Sequence, residues 1–462
     1  MAYRFARLLF AGLFFALPLA GYPQLTAPGR SWAGVTQYVN SPLHQDSIFV
    51  FFSNVGSLRA SHSTGNNASF KWYRYDPLAP SISERFVLFS TPSDGFFSQL
   101  DNLAEGGYRV EVTDDADSTE TFTAWLFTDN VTLTGIDVFS QCSFLQLTAI
   151  SSPDQYAVEY DRFVYYDLSR TSHTVNNKYG KDYFKVISWN ASEPRVEVPD
   201  IQQLKLTLEN PAPLWNSAYT VTITNCFGRQ LPVASTDVVT GIAAKSDMKI
   251  QVDANGVWTD WSSNERYEAL LGLRLESLSV NVDSLYWQVV NEKIGKFANE
   301  YFVIWRDSST VEQRKEAFPD KDLMAPGYYL VKHFVINTTS GCRDSMVVNI
   351  EVDSSQIKAD ALPNVFSPND DGVNDVFSFI NPEENIKSIR TFTIRILSRT
   401  GKQIYSYSGD PREWKGWDGR IEGSGAKAAT GVYYFIIEAR GWDDRTFKRG
   451  PYKGFLHLYA DR

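Results

Sequence analysis

GVYYFIIEARG, residues 431–441, reads as a β-strand, and the unbroken apolar run from Val432 to Ile437 is the pattern of a central strand covered on both faces. The way it opens, with a glycine or serine two residues before a tyrosine and apolar positions alternating after it, recurs upstream. Gly106-Gly107-Tyr108 precedes Val110 and Val112, Ser217-Ala218-Tyr219 precedes Val221 and Ile223, and Gly327-Tyr328-Tyr329 precedes Val331 and Val335. The four tyrosines, Tyr108, Tyr219, Tyr329 and Tyr433, stand 111, 110 and 104 residues apart. A repeat of that length is one small β-domain per copy.

A tyrosine at the start of a late strand, two residues before an inward position, resembles the tyrosine corner of immunoglobulin-like sandwiches, where the ring packs and the hydroxyl bonds a loop carbonyl. Trp72 and Trp287 fall 36 and 42 residues before their tyrosines, where such sandwiches carry a core tryptophan. The second repeat offers only Trp189, less well placed. The expected fold class is all-β: tandem immunoglobulin-like or PKD-like sandwiches followed by a C-terminal β-sandwich domain. The stretches near Asn130, Thr236 and Ser354 to Ala361 each follow a terminal strand, which divides the chain into 22–129, 130–235, 236–354 and 355–462. None is a long low-complexity linker, so stacked domains with limited freedom are expected.

The last block holds five separated motifs in a fixed order: ALPNVFSPNDDGVNDVFSF (361–379), FTIRILSRTGKQIY (392–405), WKGWDGRI (414–421), GVYYFIIEARG and YKGFLHLYADR (452–462). Thr391, Thr393 and Arg395 alternate with Phe392, Ile394 and Ile396 as in a half-buried strand, and Thr400-Gly401 supplies a hairpin turn. Gly454 to Tyr459 reads as the strand that closes the domain. This block resembles the gliding-motility-associated C-terminal domain, the type B sorting domain of Bacteroidota proteins exported by the type IX secretion system. The resemblance rests on Pro363, Asn364, Phe366, Pro368, Asn369, Asp371, Gly372, Asn374, Asp375, Trp417, Asp418, Gly419, Gly431, Tyr433 and Gly454. The third repeat, with GLRLESLSVNVDSLYWQV (272–289) and APGYYLVKHFVINTTSGCRDSMVVNIEV (325–352), is similar to PKD-type domains of Bacteroidota surface proteins.

Composition agrees with an exported chain. At 462 residues, 43% hydrophobic and 14% aromatic, it can bury several cores. The net charge of -10 resides upstream of Asp360, since 15 basic and 14 acidic residues nearly cancel beyond it. An acidic surface argues against a nucleic-acid partner. Arg4 and Arg7 followed by the apolar run Leu8 to Ala20 read as a signal peptide over 1–21, too short to span a bilayer of about 30 Å. No later run reaches the length of a membrane span, so another molecule is expected to hold the mature chain at the surface.

Export favours oxidised cysteines, and Cys142 with Cys226, placed on an early and a late strand of one repeat, is the expected disulfide, which leaves Cys342 unpaired; three small buried thiols are the alternative. Asn369, Asp371, Asn374 and Asp375 surround Gly372 with oxygen ligands in the manner of a calcium loop, although the distal glutamate of an EF-hand is missing. An Asx-rich turn bonded to its own backbone accounts for the same residues. Trp417-Asp418-Gly419 is either a sugar-stacking site or a turn, and Phe49 to Phe52 reads as a buried strand. Asp114-Asp115-Ala116-Asp117 reads as a solvated hairpin loop and His333 as an inward strand residue. No nucleophile elbow, phosphate loop or histidine at metal-ligand spacing occurs. Apart from calcium, no cofactor is expected.

The resemblance implies a non-enzymatic protein, exported through the type IX secretion machinery to the cell surface or the medium. It also implies retention by an outer-membrane barrel of the PorP/SprF kind, with the upstream repeats acting as a stalk, an adhesin for an unnamed surface ligand, or an accessory part of the secretion or gliding apparatus. Two other classes stay open. One is glycan binding through Trp258, Trp261 or Trp417, and the other a hydrolase within the first two repeats.

Overall fold

Alternation of inward apolar and outward polar positions organises nearly every element of the chain. The computed structural model describes residues 24–38, 43–168, 175–254, 257–294, 299–310, 316–317, 325–358, 360–447 and 452–459. The expected signal peptide, 1–21, lies outside the described residues. Among these the structure is strands joined by turns, with helices confined to Gln155–Tyr160, Lys178–Lys181, Pro382–Asn385 and the 3-10 turn Ile82–Glu84. Contacts gather the chain into two compact units. The first takes Met1–Phe139, Gln146–Thr207 and Ser217–Val239, and the second takes Ser140–Leu145, Leu208–Asn216 and Thr240–Arg462.

In the first unit a six-stranded sheet runs in the order Trp32–Val35, Ser47–Phe51, Thr119–Thr128, Gly106–Asp114, Ala68–Tyr75, Phe86–Ser90. It shares a core with the three-stranded sheet Leu25–Thr26, Gly56–Ala60, Ser98–Leu103. Phe70, Trp72, Val110, Val112 and Leu126 from the larger sheet meet Leu58 and Ala60 from the smaller one. Ser47–Phe51 pairs in parallel with Thr119–Thr128 and is buried from Ile48 through Phe51, as its apolar run requires. Phe52, the next residue, emerges at the surface.

The chain around Asn130, expected to separate two domains, is built into this unit. Asp129 is fully buried. Its carboxylate accepts hydrogen bonds from Tyr183 Oη at 2.7 Å and Asn225 Nδ2 at 2.6 Å and pairs with Arg229 at 3.3 Å. An aromatic layer surrounds it: Phe163 packs on Tyr183 and Phe227 at 5.4 and 5.2 Å, and Trp125 on Tyr75 at 5.8 Å. Each such pair adds about 0.5–1.5 kcal/mol beyond area burial. Beside this layer lies the sheet Phe184–Ala191, Tyr219–Asn225, Ala234–Ser235, in which Trp189 pairs with Val221 and its indole N–H donates to Gln203 O at 3.0 Å. The less well placed tryptophan therefore does pair with its tyrosine strand.

The second unit contains two cores. One lies between the sheet Val257–Asp260, Met248–Ala254, Gly272–Ser277, Glu316–Ala317 and the sheet Asn299–Thr310, Ser284–Ile294, Gly327–Ile336, Arg343–Val352. Trp287 and Val331 are wholly buried there. The other belongs to the C-terminal block, whose sheet runs Val365–Phe366, Lys453–Leu458, Gly431–Gly441, Ile389–Leu397, Gln403–Gly409, with Thr446–Phe447 added beside Gly431–Gly441. The hairpin expected at Thr400-Gly401 forms, with Gly401 at φ 81° and Ser398 N–H bonded to Lys402 O at 2.8 Å.

Two expectations are corrected. Val432–Ile437 is a central strand covered on one face only: Tyr433, Phe435 and Ile437 are buried, while Tyr434 is 46% exposed. The block has one large sheet, and segments carrying Phe377, Trp414 and Trp417 pack on its inner face. The disulfide joins Cys142 to Cys342, not to Cys226, with Cα atoms 5.4 Å apart, and Cys226 is a free thiol. None of the three lies on a strand. Cys142 sits in the turn between Thr132–Ser140 and Phe144–Ser152, a segment belonging to the second unit, as does Cys342. Cys226 turns inward in the first unit, its Sγ 3.6 Å from Tyr179 O, and burial pushes its pKa up to about 12.

Candidate functional site

In the C-terminal block the two most distinctive motifs fold into one place. Residues Pro368, Asp370, Asp375 and Val376 from the first motif, Asp418, Gly419 and Arg420 from the third, and Lys427 and Ala428 just beyond it line one cleft of 110 Å³. Trp417 is the pillar beneath it. Its fully buried ring packs on Phe366 and Tyr433, each at 5.3 Å, and its indole N–H donates to Arg420 O at 2.7 Å. Its backbone exchanges two hydrogen bonds of 2.9 Å with Phe377, which ties the third motif to the first. A buried tryptophan cannot stack a sugar, so the sugar-stacking reading of Trp417 is excluded and the turn reading holds.

The remaining motif residues fix the frame. Pro363 is half-buried and leads into Asn364, whose carbonyl accepts from His457 N–H at 2.9 Å. Phe366 then lies parallel to the closing strand Lys453–Leu458. Gly431 opens the central strand, and Tyr433 donates its hydroxyl to Ala429 O at 2.7 Å. Tyr108 and Tyr329 make the same bond, to Ala104 O at 2.6 Å and Ala325 O at 2.5 Å. Tyr219 differs, its hydroxyl meeting the Ser217 side chain. Gly454 faces Phe435, where a Cβ would come within 2.5 Å of the ring.

The acidic loop is an Asx-turn network. Asp375 Oδ1 accepts from the N–H groups of Asn369 at 3.0 Å and Asp370 at 2.8 Å, and its Oδ2 from Gly372 N–H at 2.7 Å. Asn369 Oδ1 accepts from Asp371 N–H at 3.2 Å, and Asp371 Oδ1 from Val373 N–H at 2.8 Å. Asn374 takes a left-handed turn at φ 56° and offers its carbonyl to Ser367 N–H at 2.8 Å. Desolvation opposes ionisation of Asp375, yet the N–H groups of Gly372, Asp370, Asn369 and Asp371 hold its carboxyl below the usual carboxylate range. Both oxygens of Asp375, Asn369 Oδ1 and Asp371 Oδ1 thus accept from backbone donors, and Asp371 Oδ2 accepts from Asn369 Nδ2 at 2.8 Å; among the described residues no group of three or more His, Cys, Asp and Glu is placed to hold a metal.

Sequence reasoning did not single out the two cations of the cleft. Arg420 reaches Asp418 Oδ2 at 3.6 Å and donates to Gly425 O at 3.0 Å, while Lys427 pairs with it through a backbone bridge. Arg420 directly follows the Asp-Gly turn, which was the available signal. Asp370, Asp375 and Asp418 thus share the cleft with Arg420 and Lys427. Elsewhere, Trp258 has the Arg274 guanidinium 4.6 Å over its ring, and Trp261 is half-buried against the core beside a 490 Å³ cleft shared with Tyr328 and Asn349. Asp114 is buried, not solvated, because its carboxylate accepts from Ala116 and Ser118 N–H and faces His62 at 3.6 Å.

No curated protein sequence matches the chain. Solved structures that align with it include chicken CNTN1 FN1–FN3 domains (11% identity, 71% of this chain and 100% of that one, TM-score 0.19) and murine CEACAM1b (11%, 40% and 92%, TM-score 0.22). The N-terminal eight immunoglobulin domains of DSCAM isoform 1.30.30 also align (10%, 90% and 72%, TM-score 0.24). Residues 361–458 match the family model of the CHU_C type IX secretion signal domain.

Proposed function

Starting from a chain whose C-terminal block is a type IX secretion signal domain, exported to the cell surface or secreted, we propose that the protein is a non-enzymatic surface protein. Its signal domain engages the secretion machinery, and an outer-membrane barrel of the PorP/SprF kind then retains it. The upstream sandwiches serve as a stalk or adhesin for a surface ligand, or as an accessory part of the secretion or gliding apparatus. The observation that supports this reading most is the cleft itself. Motifs far apart in sequence are held by Trp417 around one cleft. Among the described residues no helix is long and apolar enough to cross a membrane, and the barrel supplies the retention.

Surface proteolysis of whole cells tests this. The intact chain is digested from outside, and a variant lacking 361–458 remains protected within the cell envelope. Equal digestion of both sinks the reading. Cross-linking of the intact chain then recovers the barrel, and its loss releases the protein into the medium.

A further inference from the structure

Within the second unit, the C-terminal block and the sandwich before it meet around Ser388. Ser388, buried between Ile386–Lys387 and Ile389–Leu397, has φ 51°, the left-handed region that serine rarely occupies. Every polar atom it owns is engaged. Its N–H donates to Glu268 Oε2 at 3.0 Å. Its hydroxyl donates to Asp353 O at 2.7 Å and accepts from Ala269 N–H at 3.1 Å. Its carbonyl accepts from Ser355 Oγ at 2.8 Å and Trp442 N–H at 3.1 Å. A strained residue persists only where its surroundings over-determine it, and here they come from both sides of the junction.

Glu268 is the upstream sandwich's contribution. It precedes the strand Gly272–Ser277 and projects onto the C-terminal block, where it accepts from Lys387 Nζ at 2.9 Å as well as from the Arg412 guanidinium. Arg412 also donates to Ile386 O at 3.3 Å. All three charged side chains are three-quarters or more covered or nearly so, with exposures of 20%, 24% and 27%. If the upstream sandwich is unfolded, Glu268 is absent. Lys387 and Arg412 then lose the carboxylate they share, Arg412 being left with Glu383 Oε2 at 4.0 Å, and the Ser388 N–H loses the acceptor that helps to hold its left-handed conformation.

We propose that Glu268 is a positioning residue that makes export conditional on folding: the secretion signal domain takes its competent form only when the sandwich before it is folded and Glu268 is seated on Lys387, Ser388 and Arg412. The proposal rests on reading 361–458 as the export address. Deleting 361–458 tests that address separately.

The full-length chain is expressed in cells, and its surface delivery is compared with those of three variants. Glu268→Arg lowers delivery about tenfold, the scale of losing one charge-assisted bond. Adding Arg412→Glu to Glu268→Arg restores an opposite pair and recovers delivery at least in part, which a merely misfolded chain does not do. Trp287→Ala, which unfolds the upstream core without touching the signal domain, lowers delivery as Glu268→Arg does. In purified full-length protein, Glu268→Arg also speeds protease cleavage within 353–360 by about tenfold. Wild-type delivery of either Glu268→Arg or Trp287→Ala overturns the proposal, and so does a charge swap as defective as Glu268→Arg alone. If deleting 361–458 leaves delivery unchanged, the address reading falls instead.

Discussion

His333 is buried against Trp287, with the rings 3.8 Å apart and 23° from parallel, and its Nδ1 is 3.2 Å from Ser246 Oγ. Desolvation pushes its pKa down to about 4, with Asp247 pulling weakly the other way. The unfolded chain therefore binds the proton first as pH falls. Stability contributed by neutral His333 is present above about pH 6.5 and is lost between there and pH 4, on the order of 3 kcal/mol. Thermal unfolding followed over this range shows that fall in the wild type, and His333→Phe removes its share of the pH dependence. Residue-scale features of this kind were legible in the sequence because they are local. An inward strand position needs only alternation, and the tyrosine corners at Tyr108, Tyr329 and Tyr433 close on carbonyls four residues back. Tyr219 broke the pattern because Ser217, two residues away, offers its own side chain.

Among the elements, the turn after Trp417 decides whether the two motif loops meet. Gly419 has φ 78°, and a Cβ there would lie 2.9 Å from Pro368 Cγ, the first residue of the facing loop. Gly419→Ala is expected to cost about 1–3 kcal/mol, combining left-handed strain with that contact. Chemical denaturation of the full chain measures it, and a cost near zero would mean that the loops are not held together there. The motif residues could be picked from the sequence, but not their meeting point, because a turn's partner across the fold leaves no periodic trace. The same limit explains the strand Gly431–Gly441. Six apolar residues in a row suggested two covered faces, yet Tyr434 lies outward beside Phe455, which is 54% exposed. Burial on the second face depends on whether anything else in the chain arrives there.

At the scale of the molecule, order comes from single residues that tie distant segments. Asp129 does this in the first unit and Ser388 with Glu268 in the second. An isolated aspartate or glutamate carries no signal of such a role, which is why the sequence shows the strands and not the ties. The cysteines were illegible for the same reason. Three cysteines allow three single pairings, and only spatial proximity chooses among them. Denatured, non-reduced protein is expected to titrate one thiol, and Cys226→Ser none; two remaining thiols after Cys226→Ser would refute the Cys142–Cys342 pair. Removing the bridge with Cys342→Ser costs about 2–5 kcal/mol.

That bridge also sets how far the chain can be stretched. Tension applied to the chain outside the bridged segment passes through the sulfur–sulfur link and bypasses the stretch between Cys142 and Cys342, a sequence separation of 200. At 3.3–3.6 Å per extended residue, roughly 660–720 Å of contour is withheld until the link is reduced. Under load, oxidised protein is a short tether and reduced protein a long one, a difference that single-molecule extension with and without reductant reads directly.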